Sequence, residues 1–305
     1  MDSKNISEIF QDFTHCIPQK IERCAVGIGN QVYIVTCDNI KYVFRCSTEE
    51  NAYTDTIYWL NELSALNISA PKVLLNGRCG NYHYLILNFI EGKDIGLVYS
   101  GLTKSEKRKI ARDVIDMQNK VAQLTLKHID GNWSWIRYID EMLDRARVRI
   151  GKNGYFDIEK VERLKSEKDV LKGYFLNIRP IAYLDDISTK NLLIHNGHVS
   201  GVIDIDWMGV GDSLTFIALT YIALLNMKME TDYVDYLLEY KKVSTLEKKA
   251  FLFYSLLFCV DFMGERGTQF LDKVIEVNEE IVNRLNQIYD ALWGQWCFEV
   301  GDKDG

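Results

Sequence analysis

Asp186, Asn191 and Asp204 are the residues whose types and spacing carry the most chemistry in this chain of 305 residues. They lie in IAYLDDISTKNLLIHNGHVSGVIDIDWMGVGD, residues 181–212. Leu192 to His195 and His198 to Ile203 are two short β-prone runs joined by Asn196-Gly197, the strongest two-residue hairpin signal a sequence offers. Closing that hairpin carries Asn191, just before the first strand, back beside Asp204, at the end of the second. Asp186 stands in a polar loop that follows the apolar run Ile181 to Leu184. Three oxygen-bearing side chains are thus expected on one edge of a small sheet. A hard cation bound to a polyphosphate requires such a set.

The pattern D-x-x-x-x-N, a hairpin, then I-D-x-x-x-x-x-x-G-D resembles the catalytic segment of the aminoglycoside phosphotransferase and choline kinase group. These are small-molecule kinases of the protein-kinase-like fold. The resemblance implies that Asp186 orients and deprotonates the acceptor hydroxyl, and that Asn191 and Asp204 hold Mg²⁺ on the nucleotide phosphates. It makes Gly211-Asp212 a structural pair. Two departures stand out: Leu184-Asp185 replaces the family's His and small residue, and Phe216 replaces a further acid. Asp185 sets a second carboxylate beside the first, which raises one pKa unless a metal or Lys190 compensates. Register favours Asp186 as the inward member.

These residues need a frame. Glu22 to Ile34 and Lys41 to Cys46 read as strands with a turn at Asp38-Asn39, the first interrupted by Gly27-Ile28-Gly29-Asn30-Gln31. Such glycines let backbone approach phosphate oxygens closely, although G-x-G alone reads slightly better as an ordinary hairpin. Its place before Tyr42-Val43-Phe44-Arg45 favours the phosphate loop of Gly27, Gly29 and Asn30. Arg45 then lies where the group places its phosphate-binding cation. Kinases of this fold pair that cation with a helix Glu, a position that falls here on Tyr53, with Glu50 one turn earlier as the substitute. A helix is expected over Glu49 to Leu66 and strands over Lys72 to Leu75 and Tyr82 to Leu87. The resemblance makes Asn88, Phe89 and Ile90 an interlobe hinge that reads the adenine base through its backbone.

Beyond residue 88 the pattern is helical. Thr103-Lys104-Ser105-Glu106 resembles a capping box, followed by Ile110, Val114, Ile115, Met117 and Val121 at helical spacing. Further helices are expected near 134–150, 158–175, 213–228, 231–241, 245–263 and 267–292. Trp133, Trp135, Tyr138 and Tyr155 form an aromatic group. Glu230, Asp232, Asp235, Glu239, Asp261 and Glu265 are candidate acceptor contacts, each of which also reads as a solvated helix-face charge. The expected fold is α+β and bilobal, with a small antiparallel N-terminal sheet and one main helix over residues 1–88. Residues 89–305 form the larger, mostly helical lobe carrying the catalytic β-hairpin.

Composition narrows the class. The net charge of −7 disfavours nucleic acid as a partner and is compatible with a cationic substrate. Seven cysteines without a C-x-x-C motif point to free thiols in the cytoplasm. The opening MDSKNISEIF lacks the marks of a signal peptide, and the most apolar stretch, Phe251 to Met263, is too short to span a bilayer. The expectation is a kinase that passes the γ-phosphoryl of ATP or GTP to a small hydroxylated acceptor, with no membrane partner. The alternative is a silent nucleotide-binding pseudokinase acting through protein contacts, which Leu184-Asp185 and the missing helix Glu would suit. Acceptor identity and oligomeric state are left open by the residues.

Overall fold

The computed structural model describes residues 1–24, 31–126, 129, 131–270 and 273–301. The chain opens with helix α1, Ser3–Thr14, and strands β1, Lys20–Arg23, β2, Gln31–Cys37, and β3, Ile40–Ser47. Helix α2, Thr54–Ala65, then leads to β4, Val73–Cys79, β5, Tyr82–Asn88, and β6, Lys93–Asp94. Next come α3, Ile95–Val98, α4, Lys104–Val121, α5, Trp135–Asn153, α6, Glu159–Glu167, and α7, Lys172–Asn177. Four short strands follow: β7, Ala182–Tyr183, β8, Leu192–His195, β9, His198–Val202, and β10, Gly209–Val210. The remainder is α8, Leu214–Asn226, α9, Asp232–Lys241, α10, Thr245–Glu265, the strand pair β11, Gln269–Phe270, and β12, Lys273–Val274, and finally α11, Glu279–Gly301.

Contacts group these elements into two compact units, Met1–Asp94 with Asn191–Met208, and Ile95–Lys190 with Gly209–Gly305. The grouping is discontinuous, whereas the pattern reading draws one break after residue 88. In the first unit five antiparallel strands run in the order β1-β2-β3-β5-β4. Alternation on the central strand β3 sends Phe44 and Cys46 into a core with Ile6, Phe10, Tyr33, Val35, Cys37 and Ile86. Helix α1 supplies Ile6 and Phe10 to that core, capped by Asp2, whose carboxylate accepts from the Asn5 N–H at 2.8 Å. The same alternation sends Arg45 to the opposite face. Strand β6 pairs β8, and β8 pairs β9.

The hairpin turn has φ of 49° at Asn196 and 74° at Gly197. Both central residues are thus left-handed, as a type I′ turn demands. A bulge between Leu193 and Ile194 leaves Ser200 extra, its hydroxyl donating to the Leu193 carbonyl at 3.2 Å. Val202 N–H donates to Ser69 O at 2.9 Å, tying β9 to the chain before β4. Gly201 permits that approach, since a Cβ there would lie 3.0 Å from Ser69 O and 2.9 Å from Ile90 Cδ1.

In the second unit α10 packs on α5, α8 and α11, and α4 packs on α9. Helix α10 is buried along most of its length, as its apolar run predicts. Among the described residues no helix is long and apolar enough to cross a membrane. Several boundaries differ from the pattern reading. Helix α2 begins at Thr54 rather than Glu49, because Asn51 turns the chain with φ of 61°. The helix expected over 158–175 is broken by a 3-10 turn at Lys168–Leu171. The segment from 267 forms the β11–β12 pair before α11 starts at Glu279. Tyr155 packs against Gly267, away from the stacked rings of Trp135 and Tyr138, whose centroids lie 4.7 Å apart.

Candidate active site

The open end of the hairpin carries Asn191 just before β8 and Asp204 two residues after β9. The Asn191 carbonyl accepts from Ile203 N–H at 2.9 Å, and the Asn191 N–H donates to Asp94 Oδ1 at 2.8 Å. Asn191 has φ of 65° and Asp204 has φ of 60°. Left-handed backbone is uncommon outside glycine and gathers at functional sites, although Asn and Asp tolerate it best. Asp204 keeps 60% of its side chain exposed. Its carboxyl nevertheless sits above the ordinary carboxylate range, chiefly from partial desolvation by the protein on one side. Arg45 pulls it down and Asp206 pushes it up.

Arg45 is 6% exposed and its guanidinium is held by Asp206. Nη1 donates to Oδ1 at 2.8 Å and Nη2 donates to Oδ2 at 2.6 Å. Thr56 Oγ1 of α2 donates to the same Oδ1 at 2.8 Å. Arg45 Nη1 also lies 3.8 Å from Asp204 Oδ1, and the Tyr53 ring lies 5.5 Å beneath the guanidinium carbon. Hydrogen bonding to Asp206 raises the Arg45 pKa against the opposing effect of burial. Arg45 Nε is buried and has no hydrogen-bond partner among the described residues. Tyr53, at the position where kinases of this fold carry a Glu, is the N-cap of α2, and Glu50 sits exposed in the turn before it. The carboxylate comes instead from Asp206. Its pairing with Arg45 spans 161 residues and follows no sequence rule.

Asp186 belongs to the second unit and is exposed in the loop after β7. The loop is anchored on both sides of it. The buried amide of Gln118 donates to Leu184 O at 2.7 Å and accepts from Leu184 N–H at 2.9 Å. Ile187 and Ser188 are buried, and Thr189 O accepts from Gly96 N–H at 3.0 Å. Gln118 is a polar residue on the apolar stripe of α4, in the place the helical pattern gives to Met117. Burial pushes the Tyr138 phenol up to about 12, with Arg145 opposing and Asp185 and Asp261 adding to the rise.

The Asn88 side chain accepts from Lys72 N–H, Phe89 lies under the Lys41 ammonium, and Ile90 packs on Gly201. Gly27, Gly29 and Asn30 lie outside the described residues. Of the acids proposed for acceptor binding, Asp232 and Glu230 engage Lys107 at 2.8 and 3.2 Å, and Glu239 engages Arg108 at 2.9 Å. Asp261 is shared by Arg149 and Arg145 at 3.3 and 3.4 Å. Asn191 and Asp204 supply only hard oxygen donors, one of them well exposed, which suits Mg²⁺ with its retained waters.

Over residues 20–224 the chain matches the phosphotransferase enzyme family, and it belongs to that family. The Staphylococcus aureus uncharacterized protein in the ileS 3′ region is 29% identical over 118 residues, covering 38% of this chain and 85% of its own. Among solved structures, ADP-bound aminoglycoside phosphotransferase APH(2'')-Ib aligns with a TM-score of 0.64 at 14% identity, covering 97% of this chain and 99% of its own. A thermostable mutant of APH(4)-Ia in its apo form gives 0.63 at 15% identity, over 98% and 99%. The gentamicin complex of APH(2")-IIa gives 0.60 at 14% identity, over 95% and 96%. At such identities the likeness establishes the shared protein-kinase-like fold.

Proposed function

We propose that this phosphotransferase is a kinase moving the γ-phosphoryl of ATP or GTP to the hydroxyl of a small acceptor in the cytoplasm. The carrying observation is the hairpin end, where Asn191 bonds to Ile203, the neighbour of the exposed Asp204, with Asn191 and Asp204 both in left-handed backbone and the Arg45 guanidinium 3.8 Å from Asp204. Asn191 and Asp204 would hold Mg²⁺, which when bound neutralises charge on the phosphates. Arg45 steadies the phosphates, with Gly27, Gly29 and Asn30 as the loop that covers them. Asn88, Phe89 and Ile90 meet the base through their backbone. Asp186 orients the acceptor and takes its hydroxyl proton as the oxygen attacks the γ-phosphorus and the bond to the departing diphosphate breaks. The clamp of Gln118 on Leu184 favours that role, since positioning supplies most of the rate in such reactions. Seven free thiols support a reducing compartment. Glu230, Asp232, Glu239 and Asp261 are paired with cations, so support for a cationic acceptor comes from the net charge of −7.

The competing reading is a weak or silent nucleotide binder, favoured by the engagement of both Arg45 Nη atoms with Asp206. A panel of hydroxylated acceptors, cationic and neutral, assayed for Mg-dependent nucleotide consumption separates the two. Asp186→Asn should then lower turnover by about 10²–10⁴-fold while nucleotide affinity stays near that of the unaltered chain. Equal turnover in that variant would overturn the assignment of the base. Nucleotide binding without consumption across the panel would favour the silent reading.

A further inference from the structure

We propose that Asp206 is the positioning residue of the nucleotide site, setting at once the height of Asp204 and the aim of Arg45; this rests on the reading that Arg45 and Asp204 serve the nucleotide. Arg45 is buried on the α2 face of the central strand and cannot stay there unpaired, because an uncompensated buried charge is strongly destabilising. Its two-pronged partner is Asp206, at 2.8 and 2.6 Å. A planar guanidinium gripped by both Nη atoms has its plane fixed as well as its place. Thr56 fixes the carboxylate in turn, donating to Oδ1 at 2.8 Å from the first turn of α2, and the Tyr53 ring closes the lower side at 5.5 Å. The carboxylate therefore joins three separate elements: the central strand, helix α2 and the chain leaving the hairpin.

The coupling to chemistry comes from chain geometry. Asp204 and Asp206 flank the buried Ile205 and both reach the same guanidinium, whose Nη1 lies 2.8 Å from Asp206 Oδ1 and 3.8 Å from Asp204 Oδ1. Asp206 is tethered to Arg45, and Asp204 is left exposed with Nη1 of the same arginine 3.8 Å away. A bridge serving stability alone has no need to orient a cation toward an open carboxylate. Here one fixed acid sets the spacing between the cation and the second acid.

The test measures MgATP and MgGTP binding and steady-state kinetics on the full chain. Asp206→Asn keeps the shape and removes the charge. It should raise the KM for nucleotide about tenfold, raise the Mg²⁺ concentration needed for half-maximal binding, and change kcat less than about threefold. The thermal shift induced by MgATP should shrink in parallel, a readout independent of turnover. Asp206→Glu, which keeps the carboxylate, should return the KM to within about threefold of the unaltered chain. Thr56→Val removes a single hydrogen bond to Asp206 and serves if Asp206→Asn does not fold. It should raise the KM about two- to threefold. Nucleotide KM and thermal shift equal to those of the unaltered chain, in whichever of these variants folds, would overturn the role of Asp206 and leave the kinase reading standing. An unaltered chain that binds neither nucleotide would overturn both.

Discussion

Asp204 and Asp212 come from the same short stretch of sequence and are treated in opposite ways by the fold. Asp204 is 60% exposed, sits in left-handed backbone and has a guanidinium 3.8 Å away. Asp212 is 7% exposed. Its Oδ1 accepts from Leu214 N–H at 3.0 Å, and its Oδ2 accepts from Tyr174 OH at 2.5 Å and Tyr254 OH at 2.9 Å. The Tyr254 oxygen accepts in turn from Trp135 Nε1 at 2.8 Å, and the Trp135 ring lies where a Cβ on Gly211 would stand, 2.1 Å from the nearest ring atom. Ser213, the nominal cap of α8, makes no side-chain capping bond, and Asp212 performs that task. A carboxylate whose lone pairs are already taken has little left for a ligand. An open one held in an unfavourable backbone state has been kept available. Hydrogen-bond saturation therefore separates the two acids where residue type and motif do not.

The sharpest way to break this contrast is to substitute both acids and compare turnover with stability. Asp204→Asn should lower phosphoryl transfer by about 10²–10⁴-fold and weaken Mg-dependent nucleotide binding, while the melting temperature moves by no more than about 2 °C. Asp212→Ala should do the reverse. It strands the buried Tyr254 phenol, the half-buried Tyr174 phenol and the first free N–H of α8, a loss of about 3 kcal/mol that calorimetry would register as a fall of several degrees. The protein that remains folded should keep a nucleotide KM within a few-fold of the unaltered chain. A stable but inactive Asp212→Ala protein would show that the buried acid takes part in the chemistry.

What could be read ahead of the structure follows the range of the interactions. The β8–β9 hairpin and the β2–β3 turn were legible because each depends on neighbours, Asn196-Gly197 and Asp38-Asn39, that take positive φ readily. Helix α1 is equally local, with Ile6, Ile9, Phe10 and Phe13 at helical spacing. The start of α11 at Glu279 is later than helical pattern suggests because Gln269–Phe270 and Lys273–Val274 pair as two short strands before it. Among the site residues, the type and order of Asp186, Asn191 and Asp204 suggested their chemistry. The Asp206–Arg45 pair and the Gln118 clamp had no local signature, since their partners lie 161 and 66 residues away. The hairpin's membership of the first unit was hidden for the same reason. It depends on Ser69 and on β6, which only the folded chain brings to β8 and β9.

The smallest effect probes the saturated acid from its donors. Burial beside Asp212 raises both phenols, Tyr174 and Tyr254, far above the ordinary tyrosine range, so each stays protonated and keeps donating. Tyr174→Phe and Tyr254→Phe should each lose about 1 kcal/mol. Because both donate to one oxygen, either alone leaves that oxygen served by the other. The double variant leaves it unserved by either phenol, and its loss should exceed the sum of the single losses by roughly 0.5–1.5 kcal/mol. The pH dependence has a definite sign. Above about pH 10 the unfolded chain releases phenolic protons that the folded chain retains, so stability falls as pH rises. Removing two of the most strongly raised phenols should make that fall shallower in the double variant than in the unaltered chain. Additive losses with an unchanged alkaline slope would mean that the two tyrosines do not share the Asp212 oxygen, and the saturation that separates Asp212 from Asp204 would then rest on the α8 N–H alone.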